Sequence, residues 1–245
     1  MTGRVVGGFN QYGFTVGILM LDTRFPRIAG DMGNATTFDF PVRYHRVSGA
    51  DPDLVVRRGA SGLLPAFIAG ARALEREGVG AITTNCGFLV NFQRELSGAV
   101  NVPVFTSSLL LVPLVHRMLA PRRRVGILTV NAGTLTPEHL EGAGVGPDIP
   151  LAIAGLETEK EFTRVLLGDE LELDVDAARD EHVKIARGLV ADHPDIGAIV
   201  LECTNMPPYT LDIQRATGRP VFDVVSLVRM VHASLVAGVG PRPAR

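Results

Sequence analysis

The sequence predicts an α/β fold of two pseudo-symmetric lobes, each a mostly parallel sheet flanked by helices, with the lobes related by internal duplication. Three observations carry this. Short apolar, β-branched runs alternate with segments whose apolar residues recur at helical spacing, the pattern of parallel strands covered by helices on both faces. Landmarks from the first half return in the same order in the second. Finally, 245 residues, 46% of them hydrophobic and 20% charged, suffice for one large α/β domain or two small ones.

The elements follow in chain order. Residues 15–21 (TVGILML), stopping at Asp22, read as a buried parallel strand. Residues 38–47 read as a second strand, which Pro41 confines to an edge or a bulge. Leu63, Leu64, Phe67, Ile68, Ala71 and Leu74 line one side of a helix, with Arg72, Glu75, Arg76 and Glu77 mainly opposite and Gly78 as C-cap. A strand at 80–85 runs straight into Cys86, followed by a short helix and a strand at 102–105. Residues 109–120 are helical, with Pro113 limiting how early the helix becomes regular. In the second half, 124–130 and 149–156 read as strands. Ala178, His182, Ile185, Ala186 and Leu189 form the buried stripe of a helix ending before Pro194. A strand at 196–201 leads into Glu202 and Cys203, and residues 220–222 with a last helix close the fold. The small, polar end, 238–245, is expected to fray.

The duplication needs no second protein to be seen. Val16-Gly-Ile-Leu19 recurs as Val125-Gly-Ile-Leu128, 109 positions on. Gly80-Ala-Ile82, Cys86 and Pro103-Val-Phe105 recur as Gly197-Ala-Ile199, Cys203 and Pro220-Val-Phe222, each 117 positions on. One eight-residue insertion reconciles the two offsets. The expected units are 1–121, carrying Cys86, and 122–245, carrying Cys203, with elements near the crossover packing on the opposite lobe.

Composition excludes several classes. With 24 Lys+Arg against 26 Asp+Glu the net charge is −2, so no basic excess points to nucleic acid or an anionic membrane surface. Two cysteines are too few for a disulfide scaffold. The longest apolar runs fall short of a membrane span, and the N-terminal residues 1–8 lack a signal-peptide pattern. A soluble cytoplasmic protein is the expectation. The six histidines and two cysteines show no metal-ligand spacing. Residues 142–146 (GAGVG) follow a helix rather than a strand, so they are no dinucleotide loop.

The only two cysteines, Cys86 and Cys203, thus occupy equivalent positions after a strand and before a helix, where open α/β sheets bind ligands. An approximate two-fold sets them facing each other across one cleft. Pro207 and Pro208 support a helix start just beyond Cys203. A nearby helix N-terminus is expected to lower each thiol's pKa. A facing thiol–thiolate pair can remove a proton from one face of a carbon and deliver one to the other, which inverts a stereocentre without a cofactor.

Three short motifs, Thr84-Asn-Cys86, Asn131-Ala-Gly-Thr134 and Glu202-Cys-Thr-Asn205, resemble those of the aspartate/glutamate racemase superfamily. That superfamily includes amino-acid and hydantoin racemases, maleate isomerases and arylmalonate decarboxylases. The resemblance implies two α/β lobes, a cofactor-independent cleft with one catalytic cysteine from each lobe, and a homodimer. Gly87-Phe88 stands where Asn-Thr commonly follows the first cysteine, which counts against plain aspartate or glutamate as substrate. Asp22-Thr23 is similar to an acidic-hydroxyl pair beside the first cysteine of glutamate racemases.

The expected reaction is racemisation or epimerisation alpha to a carboxylate or carbonyl of an amino acid or small carboxylic acid, with Cys86 and Cys203 as the two bases. Asp22, Thr23, Asn85, Gly87, Asn131, Thr134, Thr204 and Asn205 are expected to hold the substrate or tune the thiols. Asp22 has the alternative of capping the turn after its strand, and Thr204 and Asn205 of capping the next helix. In the loop 23–34, Arg24 and Arg27 are the candidate clamps for a second acidic group. His182 reads as a packed histidine. A cis-trans isomerase, a decarboxylase of a small dicarboxylic acid and a non-catalytic acid-binding protein are the alternatives.

Overall fold

Residues 7–236 are described by a computed structural model; the readings for the first six residues and for 238–245 lie outside it. The first lobe contains β1 (Val16–Met20), β2 (Val42–Arg46), α1 (Pro52–Arg57), α2 (Leu64–Arg76), β3 (Ala81–Thr84), α3 (Gln93–Ala99), β4 (Val104–Phe105) and α4 (Val112–Met118). The second contains β5 (Arg124–Thr129), α5 (Pro137–Gly142), β6 (Leu151–Gly155), α6 (Phe162–Gly168), α7 (Val175–Asp192), β7 (Ile196–Leu201), α8 (Thr210–Thr217), β8 (Val221–Phe222) and α9 (Val224–Val236).

The sheets are ordered β2-β1-β3-β4 and β6-β5-β7-β8, and every pairing is parallel. Their registers repeat the sequence offsets. Val16 pairs with Ala81 as Val125 pairs with Ala198, and Ile82 pairs with Val104 as Ile199 pairs with Val221. Central strands buried on both faces explain the near-continuous apolar runs of β1 and β5. Pro41 leaves β2 to start at Val42, and β2 is indeed an edge strand. Pro113 sits in the first turn of α4, where its missing N–H costs nothing.

The halves exchange elements. α4 and the 3-10 turn before it pack toward the second sheet, where Ser108 Oγ donates to Leu201 O at 2.6 Å. α9 returns to the first lobe: His232 Nδ1 lies 2.7 Å from Thr15 Oγ1, and its ring stacks on Phe40 at 3.6 Å. In each sheet the order reverses at the central strand, and the crevice outside the carboxyl ends at that point is where such sheets hold ligands.

Candidate active site

Equivalent backbone bonds end the two strands. Asn85 N donates to Leu19 O at 3.0 Å in the first lobe, and Glu202 N donates to Leu128 O at 2.8 Å in the second. The next residue in each case is a free cysteine. Cys86 and Cys203 line one cavity, whose empty space of about 380 Å³ includes its opening to solvent. Its walls are largely apolar and come from both lobes: Leu21, Phe25, Val56 and Phe88 from the first, Val130, Leu166 and Leu167 from the second. The polar lining comprises Arg27, Asn85, Glu202, Thr204 and Asn205.

Of the expected site residues, Cys86, Cys203, Asn85, Gly87, Thr204 and Asn205 meet at this cavity; Asp22, Thr23, Asn131 and Thr134 do not line it. Asp22 accepts from Gly49 N and Arg46 Nη1, each at 3.3 Å, and so serves its own turn. Asn131 caps a 3-10 turn through Gly133 N at 2.9 Å, and Thr134 bonds back to Asn131 O. Thr23 is one step removed, accepting from Arg27 Nη2 at 2.9 Å. His182 is a packed histidine: it lies 4.3 Å from the Tyr209 ring, with Nδ1 2.6 Å from Ala178 O, and burial pushes its pKa down to about 4.

Thr204 and Asn205 do not cap a helix; they wire the lobes together. Thr204 Oγ1 donates to Asn85 O. Asn205 Nδ2 donates to Asp31, whose other oxygen takes Arg27 Nη1 at 2.9 Å, and the Arg27 guanidinium lies 4.5 Å over the Phe25 ring. With its amide so oriented, Asn205 presents Oδ1 to the Cys203 thiol at 3.6 Å. The chain Arg27–Asp31–Asn205–Cys203 therefore runs from the loop of one lobe to the sulfur of the other. Arg24 instead bonds Asp169 beyond α6, so only Arg27 of the two loop arginines reaches the cavity.

The thiols are shifted upward, contrary to the expectation from helix termini. Cys86 does precede a 3-10 helix, and the N–H groups of Phe88 and Leu89 and the charge of Arg27 favour its thiolate. Burial, followed by the nearby charge of Glu202, outweighs them and pushes its pKa up to about 12. Burial, then Glu202, raises Cys203 well above the usual thiol range, with Cys86 and Asp31 adding to the rise. Glu202 is itself pushed up to about 8 by burial, against the bond from Thr129 Oγ1 at 2.8 Å, so it is mostly protonated at neutral pH.

Gly87 is explained here as well. A Cβ at that position would collide with the carboxyl and backbone carbonyl of Glu202, so the buried acid requires a glycine after Cys86. Sequence reasoning gave no site role to Glu202, Phe25 or Phe88, or to α1 and α6. Among the described residues, no group of three or more His, Cys, Asp or Glu side chains is placed to hold a metal ion, and no helix is long and apolar enough to cross a membrane.

Comparison with known proteins gives three kinds of match. A family model described as Asp/Glu/Hydantoin racemase matches residues 56–230. A dimethylsulfoniopropionate lyase of Durusdinium sp. clade D is 32% identical over 217 residues, 86% of this chain and 71% of that protein. Dimethylsulfoniopropionate lyase 6 of Emiliania huxleyi is 33% identical over 235 residues, 91% of this chain but only 60% of its own length. Among solved structures, a mutant arylmalonate decarboxylase in a sulfate-associated form superposes with a TM-score of 0.62 at 16% identity, covering 94% of this chain and 98% of that one, which shows a shared fold.

Proposed function

The chain belongs to the Asp/Glu/hydantoin racemase family, and on that premise we propose that Cys86 and Cys203 are the catalytic pair of a cofactor-independent enzyme that removes a proton from the carbon alpha to a carboxylate. The observation that carries this reading is the placement of both sulfurs on one cavity lined by both lobes. Within that chemistry the reaction favoured is β-elimination from a β-sulfonio carboxylate such as dimethylsulfoniopropionate, in keeping with what the relatives at 32% and 33% identity are named for. The apolar walls suit S-methyl groups, and Phe88 among them suits a sulfonium charge.

The hydrogen bonds divide the labour. Cys86 is the base, because backbone N–H groups and Arg27 support its thiolate. Cys203 rests as a thiol, donating to Asn205 Oδ1. Cys86 as thiolate takes the alpha proton, the C–H pair becomes the Cα=Cβ bond, and the Cβ–S bond breaks with its pair going to sulfur. The products are acrylate, neutral dimethyl sulfide and a protonated Cys86, which returns its proton to solvent. The substrate assists its own base: a sulfonium about 4 Å from the sulfur contributes roughly 4 kcal/mol at an effective dielectric of about 20, or about 3 pKa units toward the thiolate. The pair needs free thiols, which a reducing compartment such as the cytoplasm maintains.

Racemisation is the second reading, favoured by the equivalent placement of two thiols where elimination requires one base. Proton NMR in deuterated water separates the two. Incubation with dimethylsulfoniopropionate is expected to release acrylate, while single-enantiomer amino acids and hydantoins remain unlabelled. Alpha-deuterium in the latter without acrylate from the former would establish the racemase, and neither signal would refute both.

A further inference from the structure

Asn85 and Glu202 occupy the same place in the two lobes, immediately before the cysteines. Each is buried, Asn85 2% exposed and Glu202 fully enclosed, and both line the cavity. Each has one side-chain atom anchored on its own sheet: Asn85 Oδ1 accepts from Leu21 N at 2.7 Å, and Glu202 Oε2 accepts from Thr129 Oγ1 at 2.8 Å. The remaining atoms, Asn85 Nδ2 and Glu202 Oε1, are both buried without a hydrogen-bond partner. Unmatched buried polar atoms cost about 1–3 kcal/mol each, so two of them flanking one cavity call for a ligand that satisfies both.

We infer that Asn85 and Glu202 form a two-donor seat for the substrate's carboxylate, the amide giving an N–H and the protonated acid an O–H. The inference rests on the proposed proton abstraction and names the group that the cavity holds while it occurs. Protonated, Glu202 keeps its carbonyl-like Oε2 for Thr129 and frees the O–H on Oε1. Ionised, it would repel the substrate's carboxylate and oppose both thiolates. Two donors at the carboxylate also strengthen as the alpha proton leaves, because negative charge then accumulates on the same two oxygens. The titratable groups lining the cavity with Glu202 are Arg27, Cys86 and Cys203; Asp31, held by Arg27 and Asn205, acts on Cys203 through its charge. The thiols are raised far above neutrality, so Glu202 is the group that changes state near pH 8.

Propionate, a carboxylate with no leaving group, tests the seat. Its dissociation constant is measured by calorimetry from pH 6 to 9.5 on the wild-type chain, Glu202→Gln and Thr129→Val. Wild type is expected to bind with constant affinity at low pH and to weaken about tenfold per pH unit above about 8 as the acid ionises. Glu202→Gln keeps a neutral donor and loses the decline. Thr129→Val, should the first variant fail to fold, removes the bond that favours the carboxylate and moves the decline to higher pH. A flat wild-type profile, a decline unchanged in both variants, or no propionate binding at any pH would overturn the inference. Dimethylsulfoniopropionate cleavage assayed on the same samples keeps the two claims apart. Cleavage with a Glu202-independent propionate profile removes the seat and spares the elimination; the expected profile without cleavage does the reverse.

Discussion

Replacing Glu202 by Gln should make the protein more stable, by an amount that depends on pH in a defined way. In the fold, burial holds this carboxyl at about 8, whereas in the unfolded chain it titrates near the usual 4.5. Below about 4.5 it is protonated in both states and has no effect. Between about 4.5 and 8 the unfolded chain releases the proton and the folded chain keeps it, so stability falls by about 1.4 kcal/mol per pH unit. Above about 8 both states are ionised and the loss levels off near 5 kcal/mol. Gln carries no proton and escapes this term. Its altered bond to Thr129 adds an offset that is the same at every pH. Urea unfolding at pH 5, 7 and 8.5 reads the difference between the two proteins as changes in midpoint at constant slope. Relative to a low-pH baseline, Gln should gain under 1 kcal/mol at pH 5, about 3 at pH 7 and nearly 5 at pH 8.5. A difference that does not change with pH would show that Glu202 is ionised in the native state, and the two-donor seat would fall with it.

Other substitutions probe the wiring. Cys86→Ser should lower acrylate release by about 10²–10⁴ and Cys203→Ser by much less, as measured by single-turnover NMR. Gly87→Ala puts a methyl against the Glu202 carboxyl and should cost about 1–3 kcal/mol in chemical denaturation together with most of the activity. Asp31→Asn strands Arg27 and frees the Asn205 amide to turn, so kcat should fall about 10²-fold while KM changes less, in steady-state assays. Asp169 accepts from the backbone N–H groups of Arg24 and Phe25, tying α6 to the loop that carries Phe25. Asp169→Ala should raise KM several-fold and lower stability by about 1–2 kcal/mol, read from kinetics and thermal unfolding.

The strands and the duplication were legible because a buried parallel strand writes itself as an unbroken apolar run, and repeated registers copy those runs at fixed offsets. Residues 16–19 and 125–128 show it most directly. α6 left no such mark: seven residues, FTRVLLG, are too few to display a helical period, yet they supply Leu166 and Leu167 to the cavity. α1 did carry a signal, with Asp51 as N-cap and Pro52 in the first turn, and it brings Val56 to the same wall.

The pair of cysteines was located by symmetry, but their chemistry was not. Position beside a helix start is visible in a sequence; the depth of burial and the charge of a neighbour are not, and these reverse the sign of the thiol shift. Glu202 was hidden because a charged residue at a strand end reads as solvated. Its sequence signals are its place at the head of the motif Glu202-Cys-Thr-Asn205 and its equivalence to Asn85 at the offset shared by the cysteines. The 109-position offset likewise pairs Asp22 with Asn131, yet each is bonded to its own local backbone.

Catalysis at this cavity requires a single molecule to occupy both sulfurs' surroundings and exclude a second. Iodoacetate, a carboxylate that alkylates thiols, measures this by intact-mass spectrometry at pH 7.5 under native conditions. One carboxymethyl group per chain is expected, at Cys86 or Cys203 but never both, with each Cys→Ser variant still taking one at its remaining thiol. Two groups on a native chain would place the sulfurs in separate spaces and contradict the shared cavity.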